Sequence, residues 1–170
     1  IVLLSIVGVE SREGMYDLSA IKGWFVSCDT VQTFLSFQQA KVPGGLQAVA
    51  EIGIHHGKSF ICMLDAIPAG VPIVALDLFD ELQRFNSGHS GKGSLAPFKK
   101  NLRAFYDSHP DKQNQVVIKA ADSTKLFAAD VLLLTKGKPI NFFSVDGCHT
   151  ADCTLSDLRL AHSVLGTMGV

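Results

Sequence analysis

The 170-residue sequence is short of charge, and what it has is balanced: 15 lysines and arginines against 16 aspartates and glutamates leave a formal net charge of −1. The basic residues are also spread out. The electrostatic footprint of a nucleic-acid or anionic-membrane binder is therefore missing, and a small molecule is the expected partner. Cysteine is scarce as well. The four residues, Cys28, Cys62, Cys148 and Cys153, are widely placed, and Cys62 falls in an apolar helical run, which predicts reduced thiols in a cytoplasm rather than a disulfide framework. A zinc reading of Cys148, His149 and Cys153 lacks a second knuckle and is set aside. Long apolar runs are absent too: Ile1 to Val9 has about half the length needed to span a bilayer and no basic leader, so it reads as a buried strand. Nothing in the sequence settles the oligomeric state, and a homo-oligomer stays open.

What is present is a core. With 47% hydrophobic residues, the chain suffices for one domain and is too short for two ordinary ones. Residues 1–45 read as a strand and helical lead-in, and residues 46–170 as an α/β unit. In the lead-in, Leu18, Ile21, Trp24 and Phe25, then Val31, Phe34 and Leu35, follow helical spacing, with Asp29 placed to cap the second run. Strands are expected over Leu46 to Ile54, Val71 to Phe79, Gln115 to Ala120 and Ile140 to Val145. Helices are expected over Ser59 to Ile67, around Pro97 to Tyr106, and over Thr150 to Leu165, the last with Leu155, Leu158, Ala161, His162 and Leu165 on one face. Strands alternating with helices imply a mainly parallel, doubly wound sheet covered on both faces, a three-layer sandwich. The chain starts at Ile1 rather than Met, and a new apolar strand begins at Gly169-Val170, so the sheet is expected to be truncated at its C-terminal end.

In such sheets ligands bind beyond the carboxyl ends of the strands. The acids and glycines fall there: Glu51 to Gly57, Asp77, Asp122 and Asp146. Gly53 and Gly57 lie four apart at a strand-to-helix turn, where a ligand approaching the backbone, or a positive φ, calls for glycine; a bare tight turn is the competing reading. A dinucleotide fold wants Gly-x-Gly-x-x-Gly, but His55 and Lys58 interrupt it. A P-loop wants a first glycine where Ile52 stands, so Gly57-Lys58-Ser59 is a near miss with a loop one residue short. A cationic ligand without phosphate, by contrast, suits a less glycine-rich turn beside an acid such as Glu51.

The run Glu51-Ile52-Gly53-Ile54-His55-His56-Gly57-Lys58-Ser59 resembles the first motif of class I S-adenosylmethionine-dependent methyltransferases, particularly those that methylate small molecules on oxygen. Val145-Asp146-Gly147-Cys148-His149 resembles a later motif of that family, Ile-Asp-Gly-x-His, followed by a helix with an acid near Asp157. The resemblance covers residues 47 to 165. It implies S-adenosylmethionine as cofactor, with Glu51, Gly53, Gly57 and Ser59 around its amino-acid end and Asp77 on the ribose. Leu78 and Phe79 would flank the adenosine, and Asp122 with Ser123 would meet the adenine, although capping the following helix is an equal reading of those two. Asp146 and His149 would border the reaction centre, His149 as base or positioning group and Asp146 also as a ligand for magnesium in an incomplete site. The implied acceptor is a small molecule, through a hydroxyl oxygen. The alternatives are a P-loop nucleotide hydrolase using Lys58, Ser59 and Asp146, and a non-catalytic cofactor-binding scaffold. The loop Ser87 to Ser94 reads as a lid or a solvated connection.

Overall fold

The computed structural model describes residues 16–23, 25, 27–79 and 93–170. The expected strand Ile1 to Val9, Trp24 and nearly all of the Ser87 to Ser94 loop lie outside the described residues.

Four parallel strands form the sheet: β1 (Val49–Ile52), β2 (Ile73–Asp77), β3 (Val116–Ala120) and β4 (Phe142–Val145), in the order β3-β2-β1-β4. Every residue of β1 and β2 is buried, as expected of central strands covered on both faces, which read as continuous apolar runs. β3, at the edge, is half-buried to exposed. Helices α1 (Cys28–Lys41), α2 (Lys58–Ala66) and α3 (Leu95–Ser108) cover one face around Leu35, Phe60, Leu64, Phe98 and Phe105. Helices α4 (Ala128–Leu134) and α5 (Ala151–Val164) cover the other around Val131, Leu160 and Val164. The sandwich expected from the sequence is thus three layers, with β4 carried to the far side of β1. Val170 accepts from the Phe143 amide at 2.8 Å and donates to the Asn141 carbonyl at 3.2 Å, which is parallel pairing on the outer edge of β4.

Several local expectations need correcting. Helix α4 has no counterpart in the sequence reading, because seven residues are too few to display a 3.6-residue period; its start is held by the Asp130 carboxylate, which accepts from the Phe127 amide at 2.9 Å. The inward face of α5 carries Asp157, Leu160, Ala161 and Val164, while Leu155 and Leu158 are about half exposed. The stripe read from the sequence holds at Ala161 and Leu165 and fails at Leu155 and Leu158, since the helix turns its acid toward the end of β3. Asp29 is not the cap of α1; that position is Ser27, and Asp29 sits in the first turn. Residues 16–23 hold a turn closed by Ile21 N–H on Leu18 C=O at 3.1 Å, with α1 the single helix of the described lead-in.

The thiols are corrected too. Cys28 at the start of α1 and Cys62 in α2 form a disulfide across 34 residues, their Cα atoms 5.8 Å apart. Packing of α1 on α2, invisible in spacing, creates the pair. The cytoplasmic expectation rested on reduced thiols, and a disulfide is most at home in an oxidising compartment. Among the described residues no helix is long and apolar enough to cross a membrane.

Candidate active site

The strand order reverses between β1 and β4, so the crevice at their carboxyl ends is the place where such a sheet takes a ligand. The β1–α2 turn forms one wall. Gly53 (φ 88°) and Gly57 (φ 85°) are both left-handed, a conformation costly for side chains bearing a Cβ. A Cβ on Gly53 would collide with the Asp146 carbonyl, and one on Gly57 with the Phe98 ring. The chain's own packing therefore requires both glycines. Of the two reasons expected from the sequence, the positive φ is realised at both positions, and ligand approach is not needed to explain them.

Glu51 is more informative. It is wholly buried beneath the first turn of α2. Ser144 donates to its Oε1 at 3.2 Å, and the Ser59 hydroxyl lies on the same carboxyl. Among the described residues Oε2 has no hydrogen bond of normal geometry. Burial pushes the carboxyl up to about 8 and the nearby Asp146 and Asp77 charges add to that, against the pull of the two serines. With its pKa near 8 the buried acid keeps its proton at neutral pH, and a cationic donor brought to Oε2 would favour its ionised form.

Asp77, at the end of β2, faces the same turn. Its Oδ2 accepts from the amides of Ile54 (2.6 Å) and His55 (3.0 Å), and its Oδ1 from Phe79 (2.8 Å). A carboxylate has about four lone-pair directions, so in this arrangement Asp77 retains room for about one further donor. Phe79 (φ 47°) places its ring in the core, stacked on Phe98 at 6.1 Å, whereas Leu78 is half-buried at the rim. The other ring pair of the turn, His55 on His56, stacks at 4.0 Å.

At the end of β3 the capping reading is realised. Asp122 Oδ1 accepts from the Thr124 amide (3.1 Å) and hydroxyl (2.6 Å), and Oδ2 pairs with Lys125 at 3.1 Å. Against the upward push of burial, these contacts hold its carboxyl below the usual range. Ser123 lies against Asp157. At the end of β4, Asp146 and His149 are both exposed, with Oδ1 and Nε2 3.7 Å apart.

Asp157 was noticed in the sequence only through the family pattern. It is buried, among the described residues neither carboxyl oxygen has a hydrogen bond of normal geometry, and burial raises its pKa. It stands between the Ser123 hydroxyl and the Cys148 amide, joining the ends of β3 and β4. Ser144 and Phe98, which shape Glu51 and Gly57, gave no sequence signal because a serine or phenylalanine in an apolar run looks like any other. Among the described residues no three His, Cys, Asp or Glu side chains converge as an ion would require.

Residues 50–170 match a family described as a methyltransferase domain. The fold is shared with an O-methyltransferase from Bacillus cereus solved in complex with SAH, 14% identical, at a TM-score of 0.52 over 88% of this chain and 56% of that one. It is shared also with a calicheamicin methyltransferase, 16% identical, at a TM-score of 0.57 over 82% of this chain and 60% of that one. This chain thus spans somewhat over half the length of those proteins. No curated protein matches it. The family match runs from β1 through the end of the described chain, on the α/β frame and crevice built above: the chain belongs to the methyltransferase domain family.

Proposed function

We propose that this chain binds S-adenosylmethionine in the crevice between the ends of β1, β2 and β4 and serves transfer of its methyl group to a small-molecule acceptor, through a hydroxyl oxygen. The observation that carries this reading is the orphaned Glu51 Oε2, buried with Asp77 and Asp146 charges close by. The Asp77 and Asp146 charges beside the Glu51 acid, which a cation would draw into its ionised form, favour a cationic ligand and disfavour the phosphates that a P-loop hydrolase would have to hold. The cofactor, when bound, supplies a methyl group already activated on a sulfonium. Glu51 is suited to the ammonium of the cofactor's amino-acid end, reached beside Gly53, Gly57 and Ser59. Asp77 is suited to the ribose, Leu78 to one side of the adenosine, and the Asp122-Ser123 turn to the adenine edge.

Alignment of acceptor oxygen with methyl carbon is the main task left to the protein, and positioning of this kind supplies several kcal/mol. His149 takes the acceptor's proton as the oxygen attacks, with the Asp146 carboxylate 3.7 Å from its Nε2 on the same turn. Asp146 is a single hard ligand, and among the described residues no further carboxylates or histidines join it to hold magnesium. Residues 46–170 form the cofactor unit in this reading, and residues 1–45 its lead-in. Calorimetric titration with S-adenosylmethionine, S-adenosylhomocysteine and ATP tests it. The two adenosyl ligands are expected to bind and ATP not, with Asp77→Ala weakening cofactor affinity at least about tenfold, the loss of a charge-assisted hydrogen bond. Binding of magnesium-ATP alone would point to the hydrolase, and no binding at all to a scaffold.

A further inference from the structure

The lysine of the Gly57-Lys58-Ser59 run has no part in the proposed chemistry, and the structure gives it a different neighbourhood. Lys58 opens α2 and its stem lies along the lead-in: a Cβ on Gly23 would stand 3.4 Å from Lys58 Cβ and 3.7 Å from its Cδ. Beside this contact is an open cavity of about 510 Å³, lined by residues 16–19, Phe25, Cys28 and Lys58. Small-molecule sites occupy roughly 300–1,000 Å³, so the space suits a ligand with one ring and a short polar arm.

Its walls are held in place by the chain itself. Tyr16 packs edge-on against Phe105 at 5.2 Å and His109 at 6.3 Å, and Leu18 rests on the same core. Cys28 is bonded to Cys62, which fixes the start of α1 on α2. Phe25 is half-buried and adds a third large apolar side chain to the lining. A site formed in advance spares a ligand the cost of ordering it.

Charge then narrows the class of ligand. Lys58 is the one cation among the described lining residues, and among the described residues it forms no ion pair. Asp17, the one acid of that lining, attracts Lys58 from beyond ion-pair distance. Its carboxylate is engaged in its own turn, Oδ1 accepting from the Ser19 amide at 2.8 Å and Oδ2 from the Ser19 hydroxyl at 2.9 Å. A single ammonium suits a single anionic group, and the Asp17 charge disfavours a dianion.

We propose that the cavity between the lead-in and α2 is a second binding site, separate from the crevice, for a small aromatic monocarboxylate. Lys58 holds the carboxylate, and Tyr16, Leu18 and Phe25 surround the ring. The site stands whether or not the crevice takes S-adenosylmethionine.

Cinnamate and its neutral counterpart cinnamamide are the probes, titrated into the whole chain with its Cys28–Cys62 bridge intact and followed by NMR. Saturable shifts are expected at residues 16–19, 25, 28 and 58, with cinnamate bound at least about tenfold more tightly than the amide through its charge-assisted hydrogen bond. Lys58→Met should erase that preference without changing affinity for the amide, and Phe25→Ala should weaken both probes. Saturating S-adenosylhomocysteine should leave cinnamate in place. The proposal is overturned if cinnamate does not bind at millimolar concentration, binds no better than the amide, is displaced by S-adenosylhomocysteine, shifts the crevice residues instead, or keeps its preference in Lys58→Met. The comparison of the two probes is made on the unaltered chain and needs no variant to fold. A chain that binds cinnamate but neither adenosyl compound counts against the proposed function and leaves this site standing.

Discussion

At Glu51 the fold holds a carboxylate where its ordinary pKa does not survive. Burial is the chief cause, and the result is an acid lifted from 4.5 to about 8. Between those values the folded chain keeps a proton that the unfolded chain has released, so folding takes up a proton and stability declines as pH rises, levelling above about 8. Urea unfolding from pH 5 to pH 9 is expected to show this fall, with a slope approaching about one proton, and Glu51→Gln should flatten it. Ligand affinity should move the other way. A cationic ligand is held better by ionised Glu51, so affinity for S-adenosylmethionine is expected to rise across the same window in the native chain and not in the Gln variant. Parallel stability curves for the two proteins would remove Glu51 from this role. The sequence placed Glu51 at the turn on chemical grounds, but it could not show the missing donor, because Ser144 and Ser59 reach it from two other elements.

At the scale of elements, the end of α2 shows how a polar residue far away in sequence completes a helix. The last carbonyls of a helix lack intrahelical donors. Here the buried Lys112 ammonium donates to the carbonyls of Leu64 at 3.2 Å and Asp65 at 3.4 Å, and also to Ile67. Lys112→Met leaves those carbonyls without that donor and should cost about 1–3 kcal/mol, read as a lower urea midpoint with an unchanged slope. The exposed Lys119 on β3 is the comparison, where the same change should stay within about 0.5 kcal/mol. Equal effects at the two positions would show that the cap contributes nothing. Strands and long helices were legible at this scale: β1, β2, β3 and β4 all lie inside the runs read from the sequence, shortened at their ends. The buried stripe of α5 was not, since leucine spacing cannot tell which apolar stripe faces the sheet when Asp157 is the residue drawn inward. Asp122 was legible in both its readings, and the turn beside it realises the cap.

Across the whole molecule, the lead-in is tied to the α/β unit by the Cys28–Cys62 bridge, which closes a loop of 34 residues. Such a closure restricts the unfolded chain by about 3–4 kcal/mol in the chain-entropy account. A Cys28→Ala/Cys62→Ala variant is expected to unfold about 2–4 kcal/mol more easily while keeping the parallel sheet, by urea titration and circular dichroism. An unmoved transition would mean that packing of α1 on α2 alone holds the lead-in. The alternation of apolar runs and turns, the glycines four apart and the acids at the strand ends were all readable from the sequence. They determined a parallel α/β sandwich with its acids and glycines at the carboxyl ends of the strands, because each is written in residues a few positions apart. Only the tertiary structure decided that Cys28 meets Cys62, that Phe98 and the Asp146 carbonyl claim the space at the two glycines, and that Glu51 keeps an unanswered oxygen. Those facts depend on contacts between segments tens of residues apart, and no local period or composition records them.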